Sequence, residues 1–289
     1  MPRLDVLQLY DMFANARSMA IVGNAGTILN YQNGPTIDSY DIIVRFNRAY
    51  TKGVEDKIGS RTDILVANIG NTLERAPAPA EALNPRALVC FVTKSPKGKD
   101  IDSQAFRQWI GDVPALITFA PDIRNVTQAG RSRQFLNGTY ALYAFLSLFK
   151  IERLFLTGFT FYSPVAAAQK YYEPEVRLLG FQHDLDEDAR VFCEILAAFK
   201  GQLEMTPEVT AALQRSKSFR GGAIVLSPRV PRFASGVGGR IVAFFSGLRR
   251  RIIAKLAWTL LSWGFSLRRR LERKAGRVVA PAQLKRWKS

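Results

Sequence analysis

Ser18-Met-Ala-Ile-Val-Gly-Asn-Ala-Gly26 decides how the rest of this 289-residue chain is read. Met19–Val22 is a short apolar run with the character of a buried strand, and Gly23-Asn-Ala-Gly26 breaks it sharply. Taken alone, that turn allows two readings. It is either a plain strand-to-helix turn, or a loop that holds a phosphate against the free N–H groups of a following helix. Further short apolar runs follow at Asp41–Arg45, Asp63–Ala67, Leu88–Thr93, Leu116–Phe119 and Ile151–Leu156. Helical periodicity marks Leu4–Ala16, Ser103–Ile110 and a stretch led by Gly138, while Arg75–Pro85 and Pro96-Lys-Gly-Lys-Asp100 read as surface connections. Thr206-Pro207 is an N-cap with proline at the first helical position, opening a short last helix to Arg215. Strands alternating with helices predict an α/β class, a Rossmann-like open sheet flanked by helices, with ligands beyond the carboxyl ends of the strands.

The formal charge of +17 invites a nucleic-acid reading, but its distribution argues against one. Residues 216–289 hold 18 of the 41 Lys and Arg and one acid, Glu272, so this tail carries +17. The body, residues 1–215, holds 23 bases and 23 acids and is neutral. The expected organisation is therefore a catalytic-type domain over 1–215 and a tail over 216–289. Ser227-Pro-Arg-Val-Pro and Ser235-Gly-Val-Gly-Gly make a hinge-like linker into the tail. Beyond it, Arg251, Lys255, Thr259, Ser262, Ser266, Arg270 and Arg273 recur at three- and four-residue steps against a wide apolar face bearing Trp258 and Trp263. Such a basic amphipathic helix suits an anionic membrane surface, and Ile252–Leu267 is too short and interrupted to span a bilayer comfortably. Nucleic acid is not the expected partner, because basic residues that bind it rarely accompany so wide an apolar face. Cys90 and Cys193 give no disulfide framework, and Met1-Pro-Arg-Leu-Asp-Val is not an apolar signal segment. These features lead to the expectation of a cytoplasmic protein, peripheral on the inner face of the membrane.

The decisive stretch continues in a fixed order: Gly34-Pro-Thr-Ile-Asp38, Asp41-Ile-Ile-Val-Arg-Phe-Asn47, Gly53-Val-Glu55 and Ile58-Gly-Ser-Arg-Thr62. Together these residues resemble the large sialyl motif of the eukaryotic-type sialyltransferases. That motif runs valine–glycine–asparagine–serine–glycine, isoleucine–aspartate, arginine–x–asparagine and a glycine–threonine/serine–lysine/arginine–threonine close. A second stretch, Phe135-Leu-Asn-Gly138-Thr-Tyr through Phe149 and on to Thr157-Gly158-Phe159, resembles the family's small motif. Its usual proline–serine–threonine is replaced here by Phe135-Leu136-Asn137. Lys170-Tyr171-Tyr172-Glu173 resembles the third motif with lysine in place of histidine. His183, the one histidine of the chain, followed five residues later by Asp188, resembles the very small motif.

The resemblance implies a prokaryotic-looking sialyltransferase without an N-terminal membrane anchor, built on a glycosyltransferase-A-like variant of the Rossmann sheet. It implies an inverting transfer of a sialic acid or related keto sugar acid from its cytidine monophosphate (CMP) ester to a glycan hydroxyl. By the same token it implies that Asn24, Gly26, Asn47, Asn68, Asn137, Gly138, Thr139, Gly158 and Tyr171 bind the CMP-sugar. Lys170 would attend the departing phosphate, and His183 would be the general base; imidazole, with its ordinary pKa near 6.5, suits that task. The disulfide joining large and small motifs in secreted members falls on Met19 and Phe149 here, so this chain lacks it. Asp184-Leu-Asp186 and Asp100-Ile-Asp102 have the Asp-x-Asp form of metal-dependent glycosyltransferases. Acids at a helix start commonly answer the helix dipole, and a CMP-sugar has one phosphate, so neither metal nor other cofactor is expected. The expected partners are a CMP-sugar, a glycan or glycolipid acceptor such as a lipopolysaccharide, and the membrane surface. A catalytically silent CMP-binding protein is the main rival, and an adaptor working through its basic tail is the other.

Overall fold

A computed structural model describes residues 2–67, 83–92, 104–123, 134–162, 169–173 and 183–215. Outside those residues lie Asn68, Asp100-x-Asp102, the Pro96–Asp100 loop, most of Arg75–Pro85 and the whole tail from 216. Seven parallel strands form one sheet: β1 (Ser18–Val22), β2 (Ile42–Phe46), β3 (Ile64–Val66), β4 (Ala87–Val92), β5 (Ala115–Phe119), β6 (Arg153–Thr157) and β7 (Gln202–Met205). Their order is β5-β4-β3-β2-β1-β6-β7. The chain thus winds outward from β1 to β5, then returns to the other side of β1 with β6 and β7. The strand order reverses between β1 and β6, which are paired from Ser18↔Arg153 to Val22↔Thr157. In open α/β sheets the crevice beyond such a reversal is where ligands sit.

Every residue of β1 and β2 is buried, as expected of parallel strands covered on both faces and as their unbroken apolar runs require. Alternate residues serve opposite layers. Met19 and Ile21 join one core with Ile42, Val44 and Phe46, whereas Ala20 and Val22 join another with Ile43. The first layer is completed by α1 (Val6–Met12), α5 (Asn137–Leu148), α6 (Leu185–Ala198) and α7 (Pro207–Arg215). The opposite face carries a 3₁₀ turn (Gly26–Asn30), α2 (Gly34–Asp38), α3 (Glu55–Ile58) and α4 (Gln104–Ile110). Phe145, Phe192 and Leu154 are fully buried in the first layer, each contributing on the order of 1.5–3 kcal/mol relative to exposure. Met19 and Phe149 lie in that same core as apolar packing residues.

The first helix is shorter than the periodicity of Leu4–Ala16 suggests. Asp5 and Gln8 form a reciprocal capping box that sets its start at Val6. β7 and the short α2 and α3 have no counterpart in the sequence reading. Among the described residues no helix is long and apolar enough to cross a membrane.

Candidate functional site

The carboxyl ends of β1 and β6 meet backbone to backbone. A Cβ on Gly23 would stand 2.2 Å from the Gly158 carbonyl oxygen, and one on Gly158 2.6 Å from that of Gly23. Gly158 also has φ +74°, a conformation that side chains disfavour. The turn after β1 uses its own donors internally. Gly23 N–H donates to the Thr157 carbonyl (2.7 Å), Ala25 N–H to Gly158 (3.1 Å) and Gly26 N–H to Gln169 (2.7 Å). Three N–H groups of the Gly23–Gly26 turn, that of Gly26 among them, are thus taken by protein acceptors. Gly158 N–H likewise donates to Glu208 Oε1 (3.1 Å), so this glycine acts through its shape.

The first cluster forms where this turn meets residues 169–173. Ala25 and Lys170 form an antiparallel bridge, and Tyr171 N–H donates to the Asn24 carbonyl at 3.1 Å. Asn24 Nδ2 donates to the Phe46 carbonyl (3.0 Å) and to the Tyr172 hydroxyl (3.1 Å). Its Oδ1 is buried without a hydrogen-bond partner among the described residues, a state that costs roughly 1–3 kcal/mol and calls for an explanation. Asn47 ends β2 at φ +56°, its N–H donating to the Val66 carbonyl at 2.8 Å. Left-handed backbone at a non-glycine residue often marks a functional turn. Lys170 Nζ lies 3.2 Å from Glu173 Oε2, and Arg48 forms a second ion pair with Glu173. Both cations approach the Tyr172 ring, Arg48 at 5.4 Å from its centroid and Lys170 at 5.8 Å.

Tyr171 behaves differently from expectation. Its ring packs against the Ile28, Ile37 and Tyr40 core, its hydroxyl is buried, and burial raises its pKa against the pull of nearby Arg45. Tyr172, not Tyr171, faces the cluster. Arg45, despite its place in the arginine–x–asparagine pattern, is fully buried as a structural tie. Its Nε donates to the Arg61 carbonyl (2.9 Å) and its Nη2 to that of Ile58 (2.6 Å). Asp38 and Asp41 are also structural. Asp38 accepts from Ser60 and Arg61 N–H, and Asp41 from Arg17 and Ser18 N–H. For both carboxyls burial works upward, but the hydrogen bonds outweigh it and hold them below their ordinary values.

The second cluster joins the starts of α5 and α6. His183 Nδ1 lies 3.1 Å from the Gln134 carbonyl oxygen. A carbonyl only accepts, so Nδ1 carries the proton and Nε2 keeps the lone pair of a base. Five residues on, Asp188 accepts from Leu136 N–H (2.6 Å) and from the Thr139 hydroxyl. Burial pushes the Asp188 carboxyl up to about 7, against those two bonds and helped by Glu187 and Asp184. Thr139, expected to touch the nucleotide, is almost fully buried with its hydroxyl on Asp188. Asn137 opens α5 with Leu136 as its N-cap. Asp184 caps α6 by accepting from Glu187 N–H at 3.0 Å, which accounts for one acid of the Asp-x-Asp stretch without a metal.

The two clusters meet through Phe159. A Cβ on Gly138 would stand 2.7 Å from its ring, so glycine lets α5 close onto the residue that follows Gly158. Beyond it, Phe161 (φ +48°) and Tyr162 (φ +56°) are both left-handed. The Tyr162 phenol, raised first by burial, lies in electrostatic range of both Asp188 and Tyr172. Arg48, Tyr162 and Glu208 had no signal in sequence spacing, and Tyr172, though within the third motif, was not singled out; the strand ends and backbone turns reveal them.

Four stretches of distinctive sequence thus approach one sheet reversal, and comparison with known proteins bears on the first of them and the start of the second. Residues 7–140 match the model of glycosyltransferase family 29 (sialyltransferase). This sialyltransferase match ends within α5, so Lys170 and His183 lie beyond it. The chain is 49% identical over 51 residues to a beta-1,6-galactosyltransferase of Arabidopsis thaliana, covering 18% of this chain and 13% of that protein. It is 48% identical over 52 residues to human beta-galactoside alpha-2,6-sialyltransferase 2, covering 18% and 10% respectively. Over 74 residues it is 38% identical to the human CMP-N-acetylneuraminate-beta-1,4-galactoside alpha-2,3-sialyltransferase, covering 26% and 18%. The matched stretches therefore span under a fifth of these relatives' own length. Among solved structures, a mammalian sialyltransferase superposes with a TM-score of 0.48 at 22% identity, covering 70% of this chain and 73% of that one.

Proposed function

We propose that this protein is a CMP-sugar-dependent glycosyltransferase that moves a sialic acid or related keto sugar acid onto a glycan hydroxyl. The observation that carries this reading is the antiparallel pairing of residues 24–26 with 169–171, which brings Lys170 beside Asn24 at the sheet reversal. Asn24, with its unpartnered Oδ1, and Asn47 hold the nucleotide. Gly138 and Gly158 shape the pocket by letting α5, Phe159 and the β1 turn approach closely. Lys170 stabilises the departing CMP phosphate as a point charge, aided by Tyr172. His183 Nε2 takes the proton from the acceptor hydroxyl as that oxygen attacks the anomeric carbon from the face opposite the phosphate, inverting the centre. The acceptor is a membrane-linked saccharide, reached by a chain whose basic tail rests on an anionic surface.

Galactosyl transfer is the second reading, favoured by the Arabidopsis relative. One experiment separates them: binding and turnover of the wild-type chain with cytidine and uridine nucleotides and with their sugar esters. CMP binding tighter than UMP, with turnover of CMP-sialic acid, is the expected result; equal affinity moves the protein to another donor class. In the same assay His183→Ala should lose about 10²- to 10⁴-fold in turnover while keeping CMP affinity, because a base acts on the acceptor. Wild-type-like turnover would remove His183 from the mechanism, and binding without any wild-type turnover would favour a silent CMP-binding protein.

A further inference from the structure

We infer that Arg48, which falls between the quoted segments of the first motif, is a second phosphate-binding residue of the donor site, with Glu173 as the carboxylate that positions it. The inference rests on the CMP-donor reading and names a further contact within it. Arg48 follows Asn47, whose left-handed backbone (φ +56°) turns the chain at the carboxyl end of β2. Its guanidinium pairs with Glu173 and lies 5.4 Å from the centroid of the Tyr172 ring, whose hydroxyl is held by Asn24 at 3.1 Å. Glu173 also holds Lys170 at 3.2 Å. Two cations thus converge on one carboxylate, with side chains 13% (Arg48), 21% (Lys170) and 10% (Glu173) exposed. In such surroundings screening by water is weak.

The chemistry favours an oxyanion of the donor. A guanidinium offers five N–H donors in a planar fork, so one edge can stay on Glu173 while another meets a phosphate. Lysine at 170 supplies only a compact point charge, and a neighbouring arginine adds the directional contacts that it lacks. Glu173 keeps both cations at the strand ends before donor arrives. The phosphate is assigned to Arg48 in preference to the sugar's carboxylate because Arg48 adjoins Asn47 and shares Tyr172 with Asn24, the two residues that hold the nucleotide.

The test is calorimetric titration of the full chain with CMP, with cytidine and with CMP-sialic acid. For Arg48→Gln we expect CMP affinity to fall about 10- to 100-fold and cytidine affinity to stay unchanged. Arg48→Lys, which keeps the charge and so guards against misfolding, should lose less. The double variant Arg48→Gln/Glu173→Gln should bind CMP as weakly as the single one. Recovery of wild-type CMP affinity in the double variant would overturn the inference, since Arg48 would then merely neutralise Glu173. Equal losses for cytidine and CMP would overturn it as a structural effect, and a loss confined to CMP-sialic acid would overturn it in favour of the sugar carboxylate. A wild type that prefers UMP would instead defeat the cytidine reading, and UMP against uridine would then test Arg48 in the same way. Failure of the wild type to bind any nucleotide would overturn both.

Discussion

Asp188 is the residue where environment matters most. Its carboxyl is fully buried, ties the backbone before α5 to the first turn of α6, and is pushed up to about 7 by burial. The ordinary value is 3.8, so between the two the folded chain holds a proton that the unfolded chain has released. Stability from this group is therefore fully present below about pH 3.8 and is lost as pH rises through about 7. Asp188→Asn keeps an acceptor for the Leu136 N–H and cannot ionise. Its melting temperature should gain on wild type as pH is raised from 5 to 8, measured by thermal melts across that range. Parallel curves for the two proteins would show that Asp188 does not titrate there.

At the scale of elements, the joint between β1 and β6 sets the geometry of everything above it. Gly158 at φ +74° abuts Gly23, and a methyl group at either position would strike the other's backbone. Gly158→Ala should cost at least about 2 kcal/mol, combining left-handed strain with a displaced strand end, and urea denaturation would measure it. A loss under 0.5 kcal/mol would mean the joint adapts freely. The elements themselves were largely legible: six of the seven strands announce themselves as apolar runs because parallel strands are buried on both faces. β7 escaped because Gln202-Leu-Glu-Met205 is a half-exposed edge whose pattern is mixed. The site was legible as four motif stretches, but not in its detail. Which of Tyr171 and Tyr172 points inward depends on one antiparallel bridge, and the Thr139 hydroxyl's partner, Asp188, lies 49 residues away, beyond the reach of motif spacing.

Across the whole molecule, charge and chemistry are segregated. The body of 1–215 is neutral and contains the candidate site, while 216–289 carries +17 with Trp258 and Trp263. Basic residues near an anionic bilayer contribute about 1 kcal/mol each, screened by salt, whereas apolar insertion is not weakened by salt. Full-length protein should thus bind anionic vesicles with a salt-resistant remainder. Trp258→Ser with Trp263→Ser should remove most of that remainder and leave CMP affinity intact, as co-sedimentation and calorimetry would report. An unchanged remainder would refute this role for the two tryptophans. The strand order has its own consequence for how the chain is made. β1 leaves the ribosome before the other strands but takes its second neighbour from Arg153–Thr157, so until that segment appears it stands as the open edge of a five-stranded sheet, four of its five residues apolar. Such an edge invites pairing with other chains. The crevice between β1 and β6 does not exist in the nascent chain at that stage. It forms only once residues 153–157 have emerged and β6 has sealed the edge.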